Sequence, residues 1–542
     1  MQTPRGFKGV FRTDEAAREL YSEGAGIYRI VPAAVAAPAG LEDLQILLEW
    51  AGATGTALVP RGAGSGMPGG NVGPGVIVDL RHGFNDAPAI DVERRVARAG
   101  AAVTFRAVDE MARRHGLFLP PDPSSGAFCT VGGMVATNAA GARTVRYGAT
   151  REWVAALEYL TADGEAARAG TDDLTAATAG TAAERRLLED VAPFLRGRRL
   201  PLEAAGPRTR KNSSGYRLAG NADDGWVRHL LIGSEGTLGV ITAAELRLAP
   251  LPACRATLLA TLRSLDDLAR AVEALLPLAP SAVELLDRTY LDFVRATGPF
   301  VPAGTEAVLL VELEGDPAAG AAALAGIAAT VTVEGDEVAA RKLWELRHLA
   351  SPILARLKDG TRSLQVVEDG CVPLPRLGAY IAGLRRIARQ CGFEIVIFGH
   401  AGDAHVHANV LADTRAPDLA TRLTRCLVDV TTLQLDLGGT PSGEHGDGRL
   451  RAPFLPRLYG DVYLEACRRV KQAMDPRGIL NPGVKLPLPG TAPALAAGTL
   501  KVGAGAPAIA LEVERMLRDI ERDARYGEDR LALLPAPGVA LV

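Results

Sequence analysis

Three of the eight histidines in the chain lie within one short segment, FGHAGDAHVHANV, which spans Phe398–Val410. The apolar residues EIVIF before it predict one strand, GHAGD predicts a tight turn, and a second strand follows. Because side chains alternate along a strand, His405 and His407 share one face, and His400 at the mouth of the turn can close on the same point. Converging imidazole nitrogens commonly bind Zn²⁺ or a similar divalent ion. The alternative is a strand whose histidines are ordinary buried residues.

A second polar motif, PSGEHGDGRLR at Pro441–Arg451, places an adjacent glutamate and histidine in a glycine-rich turn. Such a turn can bring the carboxylate of Glu444 and the imidazole of His445 to one point. With two histidines of the first motif, Glu444 would complete a set of three metal ligands and leave positions open for substrate or water. Open coordination is typical of catalytic rather than structural metal ions. The two motifs together favour a metal site over loop charges without a ligand.

Three segments rich in small residues lie earlier in the chain, each beside an apolar strand. They are PRGAGSGMPGGNVGPG (Pro60–Gly75), PPDPSSGAFCTVGGMVATNAAGARTVRYG (Pro120–Gly148) and LIGSEGTLGVIT (Leu231–Thr242). Glycine allows backbone N–H groups to converge on an anion, because no Cβ atom interferes. The first segment fits neither the dinucleotide fingerprint nor the P-loop, and one such loop alone would be an ordinary loop. Three of them could line a long groove for an extended ligand that carries a diphosphate.

Alternating strands and helices must position these motifs. The alternation runs from Tyr28 to about Leu248, and Pro250 and Pro252 then mark a boundary. The unit beyond it has the strand–helix–strand order of a ferredoxin-like α+β domain. The sequence therefore predicts a first domain of the α/β or α+β class and an α+β second domain. We expect an N-terminal helix or arm at 1–27, a first domain at 28–250, a second at 251–485, and a linker with a helical tail at 486–542.

Composition limits the classes of function. A formal net charge of −3, with 48% hydrophobic and 23% charged residues, is typical of a folded soluble protein and argues against nucleic-acid binding. The six cysteines contain no CxxC pair, which argues against an iron–sulfur cluster, a zinc knuckle or a disulfide framework. The sequence shows no signal peptide and no run of apolar residues that could span a bilayer. We expect a cytoplasmic protein, with peripheral attachment to a membrane as the alternative.

The order of the motifs resembles one flavoprotein family. PRGAGSG, PPDPSS with VGGMVATNAAG and YG, KNSSGY (Lys211–Tyr216) and GSEGTLGVIT resemble the FAD-binding domain of the vanillyl-alcohol oxidase/p-cresol methylhydroxylase superfamily. The C-terminal half resembles its FAD-linked oxidase branch, which includes D-lactate dehydrogenases, glycolate oxidase FAD subunits and D-2-hydroxyglutarate dehydrogenases. The resemblance covers residues 28 to 485. It implies a two-part FAD-binding domain of the p-cresol methylhydroxylase type and a ferredoxin-like α+β substrate cap, whose last fifty or so residues return to the FAD domain.

The resemblance implies that FAD lies along the three glycine-rich loops. Its pyrophosphate would lie against Pro60, Arg61, Gly62, Ala63, Gly64, Ser65, Gly66, Ser124, Gly126, Gly132 and Gly133. Its isoalloxazine ring would lie near Asn138, Gly141, Glu235, Gly236, Gly239 and Ile241. Ser65 stands where relatives with histidyl-linked flavin carry a histidine, and the CTVGG context of Cys129 is that of relatives without a covalent link. We therefore expect non-covalent FAD.

The same resemblance selects among the histidines. Its pattern GHxGDxxxHxN followed by GEHG puts the metal ligands at His400, His407 and Glu444, and the catalytic base at His445. Zinc is the first choice of metal, and manganese is the alternative. His405 stands where the family commonly has asparagine, so its role is open.

The implied activity is oxidation of a D-2-hydroxy acid to the 2-keto acid, by metal-assisted proton abstraction and hydride transfer to FAD. D-Lactate, glycolate and 2-hydroxyglutarate all fit. Arg347, in LWELRHLAS, would bind the substrate carboxylate, and a quinone, a cytochrome or an iron–sulfur partner would accept the electrons. The alternatives are a transferase like alkyl-glycerone-phosphate synthase, which uses FAD without net redox, and a flavoprotein subunit of a larger complex. A homodimer is also compatible with the resemblance.

Overall fold

The computed structural model describes residues 1–172, 174–218, 225–294, 302–349, 353–354, 357 and 360–535. The strands, numbered in chain order, are β1 Val10–Arg12, β2 Ala34–Ala37, β3 Leu58–Arg61, β4 Val76–Asp79, β5 Ala89–Asp91, β6 Val96–Gly100, β7 Leu117–Phe118, β8 Val154–Leu160, β9 Ala166–Ala169, β10 Val240–Arg247, β11 Ala249–Pro250, β12 Ala256–Leu262, β13 Ala282–Asp287, β14 Ala307–Leu313, β15 Thr330–Glu334, β16 Thr361–Leu364, β17 Gly370–Cys371, β18 Glu394–His400 and β19 His405–Asp413.

The helices, numbered in the same way, are α1 Glu15–Leu20, α2 Leu41–Thr54, α3 Phe105–Arg113, α4 Val131–Thr137, α5 Thr144–Tyr147, α6 Thr150–Trp153, α7 Ala182–Arg186, α8 Ala192–Arg196, α9 Arg199–Ala205, α10 Trp226–Leu231, α11 Leu265–Leu275, α12 Arg288–Val294, α13 Pro317–Leu324, α14 Glu337–His348, α15 Leu377–Gln390, α16 Leu419–Asp436, α17 Gly448–Arg451, α18 Leu455–Met474 and α19 Leu511–Arg522. A π-helical turn joins α7 to α8, and α18 bends at Gly460, whose φ is 74°.

The first sheet has the strand order β1-β2-β4-β3. Strand β4 pairs in parallel with β2 and β3, whereas β1 pairs antiparallel with β2. Helix α2 buries Leu44, Leu47, Leu48 and Ala51 against this sheet at the spacing of one helical face. The first glycine-rich loop leaves β3 at Arg61 and returns to β4. Such loops at the carboxyl ends of parallel strands are common ligand sites.

The second sheet is antiparallel, with the order β5-β6-β10-β8-β9. Helix α4, which lies within the second glycine-rich segment, packs against β10. Strand β10 in turn continues the third loop, GSEGTLG. Helix α18, from the C-terminal half of the chain, joins the same core through residues such as Leu464, Val470 and Met474. Chain segments far apart in sequence therefore build this part of the fold.

The third sheet has the order β15-β12-β14-β13-β18-β19-β16, and β17 also pairs with β19. All its strand pairs are antiparallel. Helices α11 and α15 cover it through one continuous apolar core. Arg143 of the second glycine-rich segment binds both carboxylate oxygens of Glu312 on β14 and so ties that segment to the third sheet.

Helices α1 and α19 lie together on the first sheet. Helix α1 begins at Glu15, because the Asp14 side chain accepts a hydrogen bond from Ala17 N and caps the helix. Helix α19 of the C-terminal tail packs against α1. Within the described part of the chain, we find no helix with the length and apolar character that crossing a bilayer requires.

Candidate active site

The histidine motif forms a hairpin of β18 and β19. His400 is the last residue of β18 and pairs with His405, while Phe398 pairs with His407. A short 3₁₀ turn, Ala401–Asp403, joins the strands, and Ala404 closes it with a φ of 51°. All three imidazoles are buried. The hairpin therefore gathers three histidines at one end of the third sheet.

Two of these histidines meet Glu444 in a nearly equilateral triangle. Nε2 of His400 lies 3.3 Å from Nε2 of His407, and each of these atoms lies 3.3 Å from Oε1 of Glu444. A triangle of this size lets one ion lie about 2.0–2.1 Å from all three atoms, which is the usual length of a bond from zinc to nitrogen or oxygen. The three ligands predicted from the sequence are therefore brought together.

The outer nitrogens of the two histidines are held by hydrogen bonds. His407 donates from Nδ1 to the carbonyl of Glu368 over 2.8 Å, and His400 donates from Nδ1 to Oε1 of Glu284 over 2.5 Å. Burial lowers the pKa of His407. These bonds orient both rings and direct both Nε2 atoms inward, as in protein metal sites.

Glu444 is ionised and held from behind. Burial would raise its pKa, but Lys211 and His400 bring the pKa well below its usual range. Nζ of Lys211 donates to Oε2 over 2.8 Å and to the carbonyl of Gly141 over 3.0 Å. Oε2 is thus occupied, and Oε1 faces the two histidines.

His405 belongs to the same cluster but has a different environment. Its Nε2 donates to Oδ1 of Asp369 over 2.6 Å. Burial lowers its pKa to about 3, so the ring is neutral. Its Nδ1 is buried, makes no hydrogen bond to any described residue, and lies 3.7 Å from Oε2 of Glu444. An unpartnered buried nitrogen beside three converging ligand atoms fits a cation site, in which His405 could be a fourth ligand.

His445 lies at the edge of the cluster. Its ring stacks on that of His407, with 5.2 Å between centroids, and its Nε2 is 3.8 Å from Oε1 of Glu444. Its Nδ1 is 3.3 Å from Oε1 of Glu368. Burial would lower the pKa of His445, but the carboxylates of Asp369 and Glu368 outweigh that effect and raise the pKa to about 9.

Arg347 reaches the cluster through Glu284. Its Nε donates to Oε2 of Glu284 over 2.8 Å, while the other oxygen of that carboxylate accepts from His400. Burial would raise the pKa of Glu284, but His400 and Arg347 lower the pKa to about 2. The guanidinium also lies over the ring of Phe398, 4.5 Å from its centroid. The end of the predicted LWELRHLAS segment, residues 350–351, lies outside the described residues.

A cavity of about 1300 Å³, counted with the open space at its mouth, lies beside the cluster. Its lining includes both Glu444 and His445. Fourteen of the seventeen residues predicted to hold FAD also line the cavity: Pro60, Arg61, Gly62, Ala63, Gly64, Ser65, Gly66, Ser124, Gly132, Gly133, Glu235, Gly236, Gly239 and Ile241. Gly126, Asn138 and Gly141 are not in this lining. Asn138 ends α4 with a φ of 54°, and the carbonyl of Gly141 binds Lys211.

The loops around the cavity need small residues. A Cβ atom on Gly62 would lie 2.3 Å from Oγ1 of Thr130, and Gly64 has a φ of 76°. Glu235 also has a positive φ, 53°, and its carboxylate accepts hydrogen bonds from the backbone N–H groups of Asp447 and Gly448. The third glycine-rich loop is thereby fixed to the GEHGDG motif. These close backbone approaches leave an open cradle that fits an extended ligand such as FAD.

Four charged residues of this site were not predicted from the sequence: Lys211, Glu284, Glu368 and Asp369. Asp369 accepts from His405 and from the backbone N–H groups of Glu444 and His445, so it orders both motifs. Two sequence signals point to three of these residues, all except Glu284. Glu368 and Asp369 are adjacent acids directly after the apolar residues LQVV, and Lys211 begins the KNSSGY motif.

Two family models match the chain. The model of the FAD binding domain matches residues 32–170, and the model described as "FAD linked oxidases, C-terminal domain" matches residues 251–484. The chain is 31% identical to glycolate oxidase subunit GlcD of Bacillus subtilis (strain 168), over 87% of this chain and 93% of the relative. It is 31% identical to a D-lactate dehydrogenase of Archaeoglobus fulgidus, over 83% and 90% respectively. It is also 31% identical to a D-2-hydroxyglutarate dehydrogenase of Xanthomonas citri pv. viticola, over 83% and 89%.

Solved structures agree on the fold. A 4-ethylphenol oxidase from Gulosibacter chungangensis matches with a TM-score of 0.63 at 16% identity, over 89% of this chain and 94% of that one. An alkyldihydroxyacetonephosphate synthase matches with a TM-score of 0.56 at 16% identity, over 87% and 82%. The predicted α+β fold with a p-cresol methylhydroxylase-type FAD-binding domain is confirmed. The chain belongs to the family of FAD-linked oxidases.

Proposed function

We propose that this protein oxidises a D-2-hydroxy acid to the 2-keto acid, with non-covalent FAD and a divalent ion held by His400, His407 and Glu444. One observation carries the proposal. The triangle of ligand atoms borders the cavity formed by the predicted FAD loops, and Glu444 belongs to both. A metal-bound substrate and a flavin would therefore meet there. The names of the relatives support D-lactate, glycolate and D-2-hydroxyglutarate as the substrates to test.

FAD would be held by the backbone of the glycine-rich loops, and it supplies a two-electron acceptor. A covalent link is not expected. Ser65 has no imidazole, and burial raises the pKa of Cys129 to about 11, so its thiol is not ionised at neutral pH. Both residues line the cavity as small side chains.

The divalent ion, when bound, supplies positive charge that acidifies the substrate hydroxyl. His400, His407 and Glu444 would hold it, with His405 Nδ1 as a fourth candidate ligand. Zinc is the first choice, because two imidazoles and a carboxylate are a common catalytic zinc set, and manganese is the alternative.

His445 would take the proton of the substrate hydroxyl. Its Nδ1 faces Glu368 and its Nε2 faces the ligand cluster, so Nε2 is the atom that would accept the proton. Positive charge bound at Glu444 opposes the carboxylates that raise the pKa of His445, and so favours the neutral base. Glu368 would keep the ring oriented by accepting the Nδ1 hydrogen.

Arg347 would bind the substrate carboxylate. Its Nη groups make no hydrogen bond to a described residue, and the Glu284 carboxylate fixes the side chain through Nε. A guanidinium fixed in this way presents two parallel donors, the geometry that a carboxylate accepts. A quinone, a cytochrome or an iron–sulfur partner would receive the electrons, and we propose a cytoplasmic or peripheral membrane location.

The test is a screen of D- and L-2-hydroxy acids for loss of flavin absorbance under anaerobic conditions. We expect glycolate or at least one D-2-hydroxy acid to reduce the flavin, and the L-enantiomer of a chiral substrate to react much more slowly. Reduction by no 2-hydroxy acid would overturn the proposal. That outcome would favour the transferase alternative, because alkyldihydroxyacetonephosphate synthase shares this fold.

A further inference from the structure

The C-terminal tail, defined here as residues 485–535, lies beyond both matched family models, which end at 170 and 484. Its helix α19 and the residues after it pack on α1 and the first sheet. They share one apolar core, which includes Leu517, Tyr526 and Leu531 of the tail and Ala63 of the first glycine-rich loop. The tail therefore covers the back of the FAD-binding half of the protein.

A buried arginine of the tail binds residues 20–25, the segment that holds the first glycine-rich loop and is called the support below. Arg530 is 2% exposed, and its Nη1 donates to the carbonyls of Leu20 and Glu23 over 2.7 and 3.0 Å. Arg61, where that loop begins, donates from Nη2 to the same Glu23 carbonyl over 2.9 Å and from Nη1 to the carbonyl of Asn71 over 3.2 Å. One carbonyl thus links a tail residue to a loop residue.

The same support touches the cavity wall directly. Two residues after Glu23, the N–H of Ala25 donates to the carbonyl of Gly64 over 3.0 Å. Gly64 lines the cavity. A Cβ atom on Gly24 would lie 2.3 Å from the side chain of Asn71, so the support and the loop are in close contact. Movement of the tail would consequently be transmitted to the wall of the cavity.

A second contact reaches the second glycine-rich loop. The ring of Tyr526 packs on that of Phe128, with 5.5 Å between centroids. Phe128 lies in a turn in which the N–H groups of Phe128 and Cys129 both bond to the carbonyl of Ser125. Ser125 and Cys129 line the cavity. The tail thus backs both loops, although no described tail residue lines the cavity.

We propose that the C-terminal tail is a positioning element of the FAD site, which holds the first two glycine-rich loops in their binding conformation before FAD arrives. The inference rests on the proposed function through its use of FAD. A loop that is ordered in advance loses less conformational entropy when the ligand binds. Weakening the tail contact should therefore weaken FAD binding without removing any group that touches FAD.

The test uses full-length apoprotein and measures the FAD dissociation constant from flavin fluorescence, beside the melting temperature of the apoprotein. Tyr526→Leu keeps an apolar side chain but loses the ring, and Tyr526→Phe keeps the ring. Arg525→Ala is the matched control, because the Arg525 side chain forms an exposed pair with Glu528. We expect Tyr526→Leu to raise the dissociation constant roughly three- to tenfold, the value of one aromatic pair. Tyr526→Phe and Arg525→Ala should match the wild type.

The outcomes separate this inference from the proposed function. If the wild type binds FAD and Tyr526→Leu binds it equally well, the tail is only a structural cover and the inference is wrong. The same holds if Tyr526→Leu lowers the melting temperature of the apoprotein while its FAD affinity is unchanged. If the wild type itself binds no FAD, the proposed function fails instead. Should Tyr526→Leu not fold, Phe128→Leu weakens the same ring contact from the loop side and is expected to give the same rise.

Discussion

Replacing Glu444 by glutamine isolates the charge of the proposed metal site. The side chain keeps its shape, but the Oε1 atom that lies 3.3 Å from both imidazole nitrogens no longer belongs to a carboxylate. Residues that only orient a ligand typically contribute about 10–100-fold to metal affinity. Glu444 is itself a proposed ligand and the one anion among the three, so its loss should cost about 100-fold or more, which is about 2.7 kcal/mol. Glu284→Gln, which acts through His400, should cost about 10–100-fold.

The assay is competition for Zn²⁺ between the protein and a chromophoric chelator at fixed pH. Glu42→Gln is the matched control, because it makes the same substitution at an exposed residue, which pairs with Lys8. The melting temperature of each apoprotein shows whether the fold is kept. The reasoning is refuted if Glu444→Gln binds Zn²⁺ within threefold of the wild type while Glu42→Gln is unchanged.

Other predictions concern separate parts of the molecule. Acid precipitation of the holoprotein should release all of the flavin into the supernatant, since neither Ser65 nor Cys129 is suited to a covalent link; flavin that stays with the pellet would contradict this. His445→Gln should slow flavin reduction by about 10²–10⁴-fold while FAD binding is retained, as for loss of a general base. Arg347→Met should lower kcat/KM for the hydroxy acid roughly 10- to 150-fold, the value of a hydrogen bond to a charged group; a change below threefold would remove Arg347 from the substrate site. Burial would raise the pKa of Glu521, but Lys501 and Arg518 lower the pKa to about 2. Its stabilising effect is therefore full above about pH 4.5 and is lost as the pH falls towards 2. The melting temperatures of the wild type and Glu521→Gln should therefore differ at pH 7 and converge as the pH approaches 2.

The strand and loop motifs could be predicted because their signals are local. Period-two alternation places His405 and His407 on one face of β19, and glycine-rich segments beside strands mark the walls of the cavity. The partners of these motifs could not be predicted in this way. Asp369 and Lys211 reach the site from other parts of the chain, and only tertiary packing brings them to His405 and Glu444.

The tail shows the same limit at the level of an element. The pattern of IALEVERMLRDIER predicts an amphipathic helix, and α19 is that helix. An amphipathic pattern gives the face that is buried but not the surface that covers it. Here the surface is α1 and the first sheet, which lie almost the whole chain length away in sequence.

The central claim is that a bound metal ion and the flavin act on one substrate. The most direct test measures the rate at which the D-2-hydroxy acid found in the screen reduces the flavin of the wild-type holoprotein, before chelation, after chelation, and after Zn²⁺ or Mn²⁺ is restored. We predict that chelation abolishes reduction while FAD stays bound, and that one of the two ions restores it. An unchanged rate after complete removal of metal would contradict the account.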